Sequence, residues 1–430
     1  MQREKRVKNS LRVSLRDGIF ASIMSGIVDP YVVPFALFLG ATVQEVGWIS
    51  SAPQLVGSLA QLFAPQAILT LGGRLRLLIR VVLVQATLIL AIGFLISLEV
   101  SRRVELLLLL LVLTALCGGL AGPAWGSLMS DYIPRSKRGQ YFGWRSRILG
   151  IANVTAMISV GFWLSWAGKV SLELGFLAIF LLAGAARFVS ASYIARMIDL
   201  PRRRASGGDF TLLMFLARFR ESNFVKFVTF VATLTFASYL ASPFFSVFML
   251  RDLGFSYLTY MFLQVISTVT GLIALPLWGR HADVVGNVRV LRLSGFCVTL
   301  VPLFWLISHN VFYLALVQAI AGFAWGGVTL SSANFIYDAV TPPKRVRCIS
   351  YFNVINGTAL FLGASVGGLL VSTLPPLRGY SLLTLFALSS LCRLILYFLL
   401  FNRFSEVRPS KAVSLQELFF SVVGIRPLVG

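Results

Sequence analysis

Asp29 is the side chain in this sequence best placed to do chemistry. It stands in the run Gly18 to Leu39, which holds no other charge. An ionised carboxylate inside so apolar a stretch is costly unless it faces a packed interior, finds a cation or takes up a proton. Ser22, Ser25 and Asp29 fall at i, i+3 and i+7, one stripe of a helix, and Ser51, Gln54, Ser58 and Gln61 form another. Polar stripes are expensive against lipid, so they are expected to line an aqueous path.

Further candidates follow the same rule: Thr235, Ser238 and Ser242, then Gln264 with Ser267, then Asn353 with Asn356, with Asn153 and Asn334 adding amides. Aromatic side chains, Tyr31, Trp125, Tyr239 and Trp325, would wall the resulting cavity. Asp29 is then a charge switch that binds a proton or cation, or pairs with a cationic substrate. A second reading makes Asp29 and Pro30 the N-cap and first residue of a helix that breaks and restarts.

The elements that must hold these residues are membrane helices. Hydrophobic residues make up 57% of the 430 and charged residues 13%, with a mean hydropathy of +0.84, a composition that excludes a water-soluble domain. Twelve apolar runs, from 18–39 to 380–402, are long enough to span a bilayer. The net charge of +22 is scattered between them, which points to membrane orientation and away from nucleic acid. With the N-terminus inside, the outer segments keep only Arg102, Arg103, Lys169, Arg251 and Arg378 of the 38 Lys and Arg residues. Both termini are therefore expected in the cytoplasm of a multi-pass protein of the cell membrane. Cys117, Cys297, Cys348 and Cys392 show no CxxC spacing and no outer-loop pair, so neither disulfide nor metal nor other cofactor is expected.

The chain repeats itself. PFALFL from Pro34 matches PFFSVF from Pro243, and DYIPRSKRGQYF matches VTPPKRVRCISYF, with Arg138 answering Arg347. Arg187 and Arg393 lie at similar depths in the last span of each half, a placement read as snorkelling. The expected organisation is an N-tail with a six-helix bundle over 1–196, a central loop over 197–222, a second bundle over 223–403 and a C-tail over 404–430. TLLMFLARFR in the loop, and SLQELFFSVV with its Ser414–Glu417 capping box, read as surface helices.

WGRHADVVGNVRVLRL carries Gly279, Asp283, Gly286 and Arg289 in the turn between spans eight and nine. It resembles the G-x-x-x-D-x-x-G loop of the major facilitator superfamily, and the resemblance extends from about Leu11 to Arg403. It implies an all-α fold of twelve transmembrane helices in two pseudo-symmetric halves. It also implies an inner gate in which Asp283 locks onto the start of span five near Arg145 and Arg147, with Asp131 and Arg138 belonging to the same gate. The first half departs from the pattern: Leu69 stands where the aspartate would be, leaving Gly72 and the arginines. Thr114, and Gln318 in the repeat, stand where many proton-coupled members carry an arginine.

No GxxxxGK[ST] loop is present for ATP, and His281 and His309 lie on opposite sides, so an enzyme is not expected. The expected function is ion- or proton-coupled secondary transport of a small molecule by alternating access, export of a neutral or cationic compound being favoured. The alternatives are metabolite uptake, and a non-transporting or lipid-moving member of the fold. The expected partners are the substrate, a coupling proton or cation and the lipid bilayer, with no nucleic acid and a monomeric chain.

Overall fold

The computed structural model describes residues 2–98, 102–134, 137–200, 222–411 and 413–422. Backbone groups in lipid must bond internally, and the described residues accordingly form helices without a ladder of strands. The first set is α1 (Gln2–Phe38), α2 (Val43–Thr70), α3 (Arg74–Phe94), α4 (Arg103–Tyr132), α5 (Arg138–Ala167) and α6 (Leu172–Ile194). The second is α7 (Asn223–Tyr239), a short α8 (Phe244–Val247) running into a π turn at Phe248–Asp252, α9 (Tyr257–Val285), α10 (Asn287–Phe304), α11 (Val311–Ala339), α12 (Pro342–Val371) and α13 (Ser381–Leu400). A final helix, α14 (Leu415–Val422), follows.

Eleven of these segments are long and apolar enough to cross a membrane. The remaining long helix, α2, has 28 residues, about 42 Å at 1.5 Å per residue, and carries the Ser51–Gln61 polar stripe. Its start is fixed by Thr42, whose hydroxyl accepts from the Glu45 N–H while Glu45 reaches back to the Thr42 N–H at 2.8 Å.

Close contacts divide the chain into two compact units, Met1–Ala205 with Ser246–Met261, and Ser206–Phe245 with Phe262–Gly430. The residues 246–261 thus pack with the first unit although they follow α7 in the chain. The expected loop helix at TLLMFLARFR lies outside the described residues. Equivalent helices pair within each unit: α1 with α5 and α6, and α3 with α4 and α6, against α7 with α12 and α13, and α10 with α11 and α13. Small residues permit the tightest crossings. A Cβ on Gly119 would lie 2.2 Å from the Gly57 carbonyl oxygen, and one on Gly322 2.0 Å from that of Ser267.

Two expectations change. α1 starts at Gln2, not near residue 18, because the basic N-terminal stretch is amphipathic: Val13 is buried, and Val7 and Leu11 pack against a core of Leu77, Leu78, Leu128 and Met129. α1 also continues through Pro30 and Pro34, so Asp29 does not cap a restarted helix. Pro34 has no N–H for the Pro30 carbonyl, and the Tyr260 hydroxyl supplies the donor at 2.8 Å.

At the other end of the chain, α14 does carry the capping box, with Ser414 N–H to Glu417 Oε2 at 2.9 Å and Glu417 N–H to Ser414 Oγ at 3.2 Å. The Ser414 backbone N–H and hydroxyl at the Glu417 carboxyl hold it below its ordinary value. The helix is docked on its unit: Leu418 is fully buried against Trp278, Val285 and Leu293, and Ser421 Oγ lies 3.1 Å from His281 Nε2.

Candidate functional site

The first unit carries an open cavity of about 340 Å³ with charged side chains in its lining, among α1, α3, α4, α5 and α6. Asp17, Ser22 and Ser25 from α1, Trp125 from α4, Arg145 from α5 and Arg187 from α6 all reach it. Asp17 is only 4% exposed, and Arg187 9%. Ser190 links them: its hydroxyl donates to Asp17 Oδ1 at 2.7 Å and accepts from Arg187 Nη1 at 3.0 Å. Arg187 Nε donates to Gln85 Oε1 at 2.7 Å, and the Gln85 amide passes on to the Thr114 carbonyl at 3.2 Å. Buried charges survive in such a setting by being paired and hydrogen-bonded, and this chain achieves it through a hydroxyl relay. Arg187 therefore does not snorkel.

Arg145 turns toward the same cavity. Its guanidinium stands 4.5 Å from the Trp125 ring centroid and donates to the Ser14 carbonyl at 3.2 Å, while its Nε is buried without an acceptor among the described residues. Asn153 donates to Ser25 Oγ at 3.0 Å and to the Ser22 carbonyl at 3.3 Å, which ties α5 to α1 beside the cavity.

The second unit has a neutral counterpart of about 350 Å³, reached by Thr235, Trp325, Ser332, Asn353 and Asn356. Ser332 Oγ and Asn356 Oδ1 are buried there without a partner among the described residues. Arg393, 2% exposed, is gripped by neutral groups: Ser389 Oγ at 3.2 Å and the carbonyls of Val298 at 2.9 Å and Ser238 at 3.1 Å. It does not snorkel either.

The remaining candidates scatter. Asp29 is exposed on α1 and outside the lining of the 340 Å³ cavity. Tyr31 is fully buried and donates to the Met157 carbonyl at 2.8 Å, a helix–helix tie. Gln54 is exposed, whereas Gln61, Tyr239 and Asn334 are half-buried and reach neither cavity. Ser238 is buried, its hydroxyl unbonded among the described residues. Gln264 and Gln318 meet at 3.4 Å. A larger groove of about 700 Å³, walled by Ile23, Ile27, Val160 and Leu182, carries no charged group.

The turns before α3 and α10 hold a second charged constellation. Arg74, the first residue of α3, is 3% exposed and pairs with Asp131 at 2.6 Å and Asp199 at 2.8 Å. Asp199 Oδ2 also accepts from the backbone N–H of Arg74 at 3.1 Å and of Leu75 at 3.3 Å. In the second unit Glu406 Oε2 accepts from the Val288 N–H at 2.8 Å, and Asp338 holds Asn287 at 2.9 Å and Arg408 at 2.5 Å. The first half is therefore not lacking an acid at its turn. Leu69 is 81% exposed, and the carboxylate comes from Asp199, after α6.

Arg138 donates to the carbonyls of Ser130 at 2.7 Å and Ile133 at 3.2 Å, closing the end of α4. Arg345 treats Tyr337 and Val340 in the same way, at 2.9 and 3.3 Å, so the structural partner of Arg138 is Arg345 and not Arg347. Gly286 opens α10 at φ 89°, and Arg289 donates to the Lys411 carbonyl at 2.7 Å, strapping the segment before α14. Gly279 packs near Leu330 at 3.7 Å. Asp283 is exposed and has no hydrogen bond within its own unit among the described residues.

Asp17, Gln85 and Ser190 escaped the sequence reading. Asp17 falls at i−4 from Ala21 and i−8 from Ser25, at the edge of the polar stripe, which reaches it only once α1 is carried back.

Solved structures share this architecture. A D-xylose–proton symporter superposes with a TM-score of 0.73 at 11% identity, covering 94% of this chain and 99% of that one. The nucleoside transporter NupG gives 0.67 at 15% identity over 90% and 98%. A bacterial homolog of the human lysosomal transporter Spinster, in its inward-facing and unoccupied form, gives 0.65 at 16% over 95% and 99%. At such identities the likeness is one of fold. Among curated sequences, the vacuolar basic amino acid transporter 1 of Saccharomyces cerevisiae (strain ATCC 204508 / S288c) is 29% identical over 99 residues, 23% of this chain but only 18% of that protein's length. The family profile described as Major Facilitator Superfamily matches residues 18–233 and 227–428, nearly the whole chain, which is a multi-pass membrane protein belonging to that superfamily.

Proposed function

We propose that this chain is a secondary active transporter that moves a small molecule across the cell membrane by alternating access, exposing the bound cargo to one side at a time. One observation carries the reading: the Asp17–Ser190–Arg187–Gln85 relay borders a cavity inside membrane-spanning helices. Buried charge at that position is costly, and a cavity beside it gives the charge a guest to act on. Family membership supports the same conclusion.

The placement of Lys and Arg supports cytoplasmic termini. Coupling to a proton or cation is assigned to Asp29, which is exposed on α1 and has no protein partner among the described residues. Export remains the preferred direction. A neutral or cationic cargo was the sequence expectation, and the two arginines at the cavity argue for a different charge. The apolar groove of about 700 Å³ favours a second reading, a lipid-handling member of the fold. The test is flux in proteoliposomes under an imposed pH or cation gradient, with Asp29→Asn beside the unaltered protein. Gradient-driven flux that the variant loses supports the reading. Unchanged gradient dependence in Asp29→Asn removes the assignment of coupling to that residue, and absence of flux under every gradient with lipid scrambling instead would replace transport by the second reading.

A further inference from the structure

We propose that the 340 Å³ cavity of the first unit is a binding site for a small organic monoanion, with Arg145 receiving its carboxylate and Trp125 flanking its apolar body. The inference rests on the transport reading only for the fate of the guest, not for its binding.

Three charged side chains border the cavity, two cationic and one anionic. Asp17 is already answered, since Ser190 donates to it and passes it to Arg187. Arg145 has no such hydrogen bond: its acceptors are one backbone carbonyl and an aromatic face, and among the described residues no carboxylate lies within ion-pairing distance and its Nε is buried without a partner, Asp17 acting on it only at longer range while shared with Arg187. The lining therefore carries one unneutralised positive charge. A guest with one negative charge removes it; a dianion would leave the opposite surplus, and a neutral guest would leave the guanidinium unmet. Planar guanidinium suits a carboxylate through paired N–H donors.

The floor of the cavity makes room independently of the charges. Gly118 and Gly122 on α4 both border it. A Cβ on Gly122 would meet nothing within 4 Å, and one on Gly118 only the Gln85 amide nitrogen at 3.6 Å. Glycine inside a helix costs roughly 0.5–1 kcal/mol relative to alanine, and no helix crossing at Gly122 requires it. What its bare Cα preserves is open space. The volume lies at the low end of the roughly 300–1,000 Å³ range of small-molecule sites, which sets a metabolite-sized guest.

The experiment is calorimetric titration, with thermal stabilisation in parallel, of the purified full chain in detergent. The probes are benzoate, phenylacetate and lactate, with phenylacetamide as the neutral isostere, phenylalanine as the zwitterion and inorganic phosphate as the multivalent anion. At least one monocarboxylate is expected to bind at least tenfold more tightly than phenylacetamide, phenylalanine and phosphate. Arg145→Gln should lose at least tenfold in affinity and Arg145→Lys less. Gly122→Val should abolish binding without lowering the unliganded melting temperature, which keeps the test informative if Arg145→Gln folds poorly. Binding of phenylacetamide or phenylalanine as tight as that of the carboxylates, undiminished binding in Gly122→Val, or no binding by any monocarboxylate overturns the proposal. Flux of the bound probe in proteoliposomes is scored separately: carboxylate binding without flux upholds this site and counts against transport, whereas flux of another cargo without carboxylate binding does the reverse.

Discussion

Glu406 does for α10 what Asp199 does for α3. Each carboxylate arrives from just beyond the last span of its half and accepts the backbone N–H groups that open the third span, Arg74 and Leu75 in one case, Val288 in the other. The positive end of the helix dipole favours an anion at that point. In both halves the residue before the helix is a glycine in the region that side chains avoid, Gly73 at φ 142° and ψ 161° and Gly286 at φ 89° and ψ 159°.

The two glycines should respond unequally to alanine. A Cβ on Gly286 would lie 2.3 Å from Glu406 Oε2, whereas one on Gly73 would lie 3.3 Å from Asp199 Oδ2. Backbone strain of about 1–3 kcal/mol applies to both, and the collision with the cap only to the first. Thermal unfolding in detergent should show Gly286→Ala as the more destabilised. Equal losses would mean that Glu406 moves aside freely.

Arg74 serves two acids at once. Its removal leaves Asp131 and Asp199 facing each other without a cation, and their partial exposure, 35% and 31%, softens the penalty. We expect Arg74→Ala to cost about 2–4 kcal/mol and Asp131→Asn about 1 kcal/mol or less, since Asp199 and Ser127 still hold the guanidinium. Chemical unfolding of the two variants decides the order.

Tyr260 completes a helix that two prolines interrupt. Tyr260→Phe deprives the Pro30 carbonyl of its donor and should cost about 1–2 kcal/mol. Pro34→Ala restores a helical N–H to that carbonyl, so the double variant should lose less than the sum of the singles, a coupling read from a double-mutant cycle. Strict additivity would show that the hydroxyl matters for another reason.

Docking of α14 should depend on pH. The Glu417 carboxyl is held below its ordinary value by Ser414, so its contribution is present above the unfolded glutamate range and disappears as pH falls through the lowered value. Protease cleavage at the 411–414 linker should accelerate on acidification in the unaltered chain, and Glu417→Gln should cleave at the faster rate at neutral pH already. A pH-independent rate in the unaltered protein would remove the carboxylate from this role.

The helices and their repeat were legible because lipid leaves the backbone few options, and the apolar runs carry that constraint residue by residue. Of the stripe of Ser22, Ser25 and Asp29, the two serines border the 340 Å³ cavity and Asp29 does not. Asp17 did not, because the arginines and lysines before it make the first residues look like a solvated tail, and only the packing of Val13 and its neighbours against α3 and α4 reveals a helix. Local sequence places the acid of the first turn at Leu69, yet the carboxylate that caps Arg74 comes from Asp199, 125 positions away. Arg187 likewise meets Gln85 across 102 positions. Local pattern finds which faces are polar; it does not say which distant side chain answers them.

Arg393 leaves a mark on the second unit that its neutral cavity lining conceals. Carbonyl oxygens and a serine share out its hydrogen bonds, but dipoles cannot cancel a whole charge. Because Ser238, whose carbonyl it grips, lies one helical turn from Thr235 at the cavity, the guanidinium charge is expected to bias the potential of that chamber toward positive. A guest there would meet that charge without touching Arg393 itself, Tyr337 being the ionisable side chain in the lining, and electron-rich guests are expected to fare better than metal or ammonium ions.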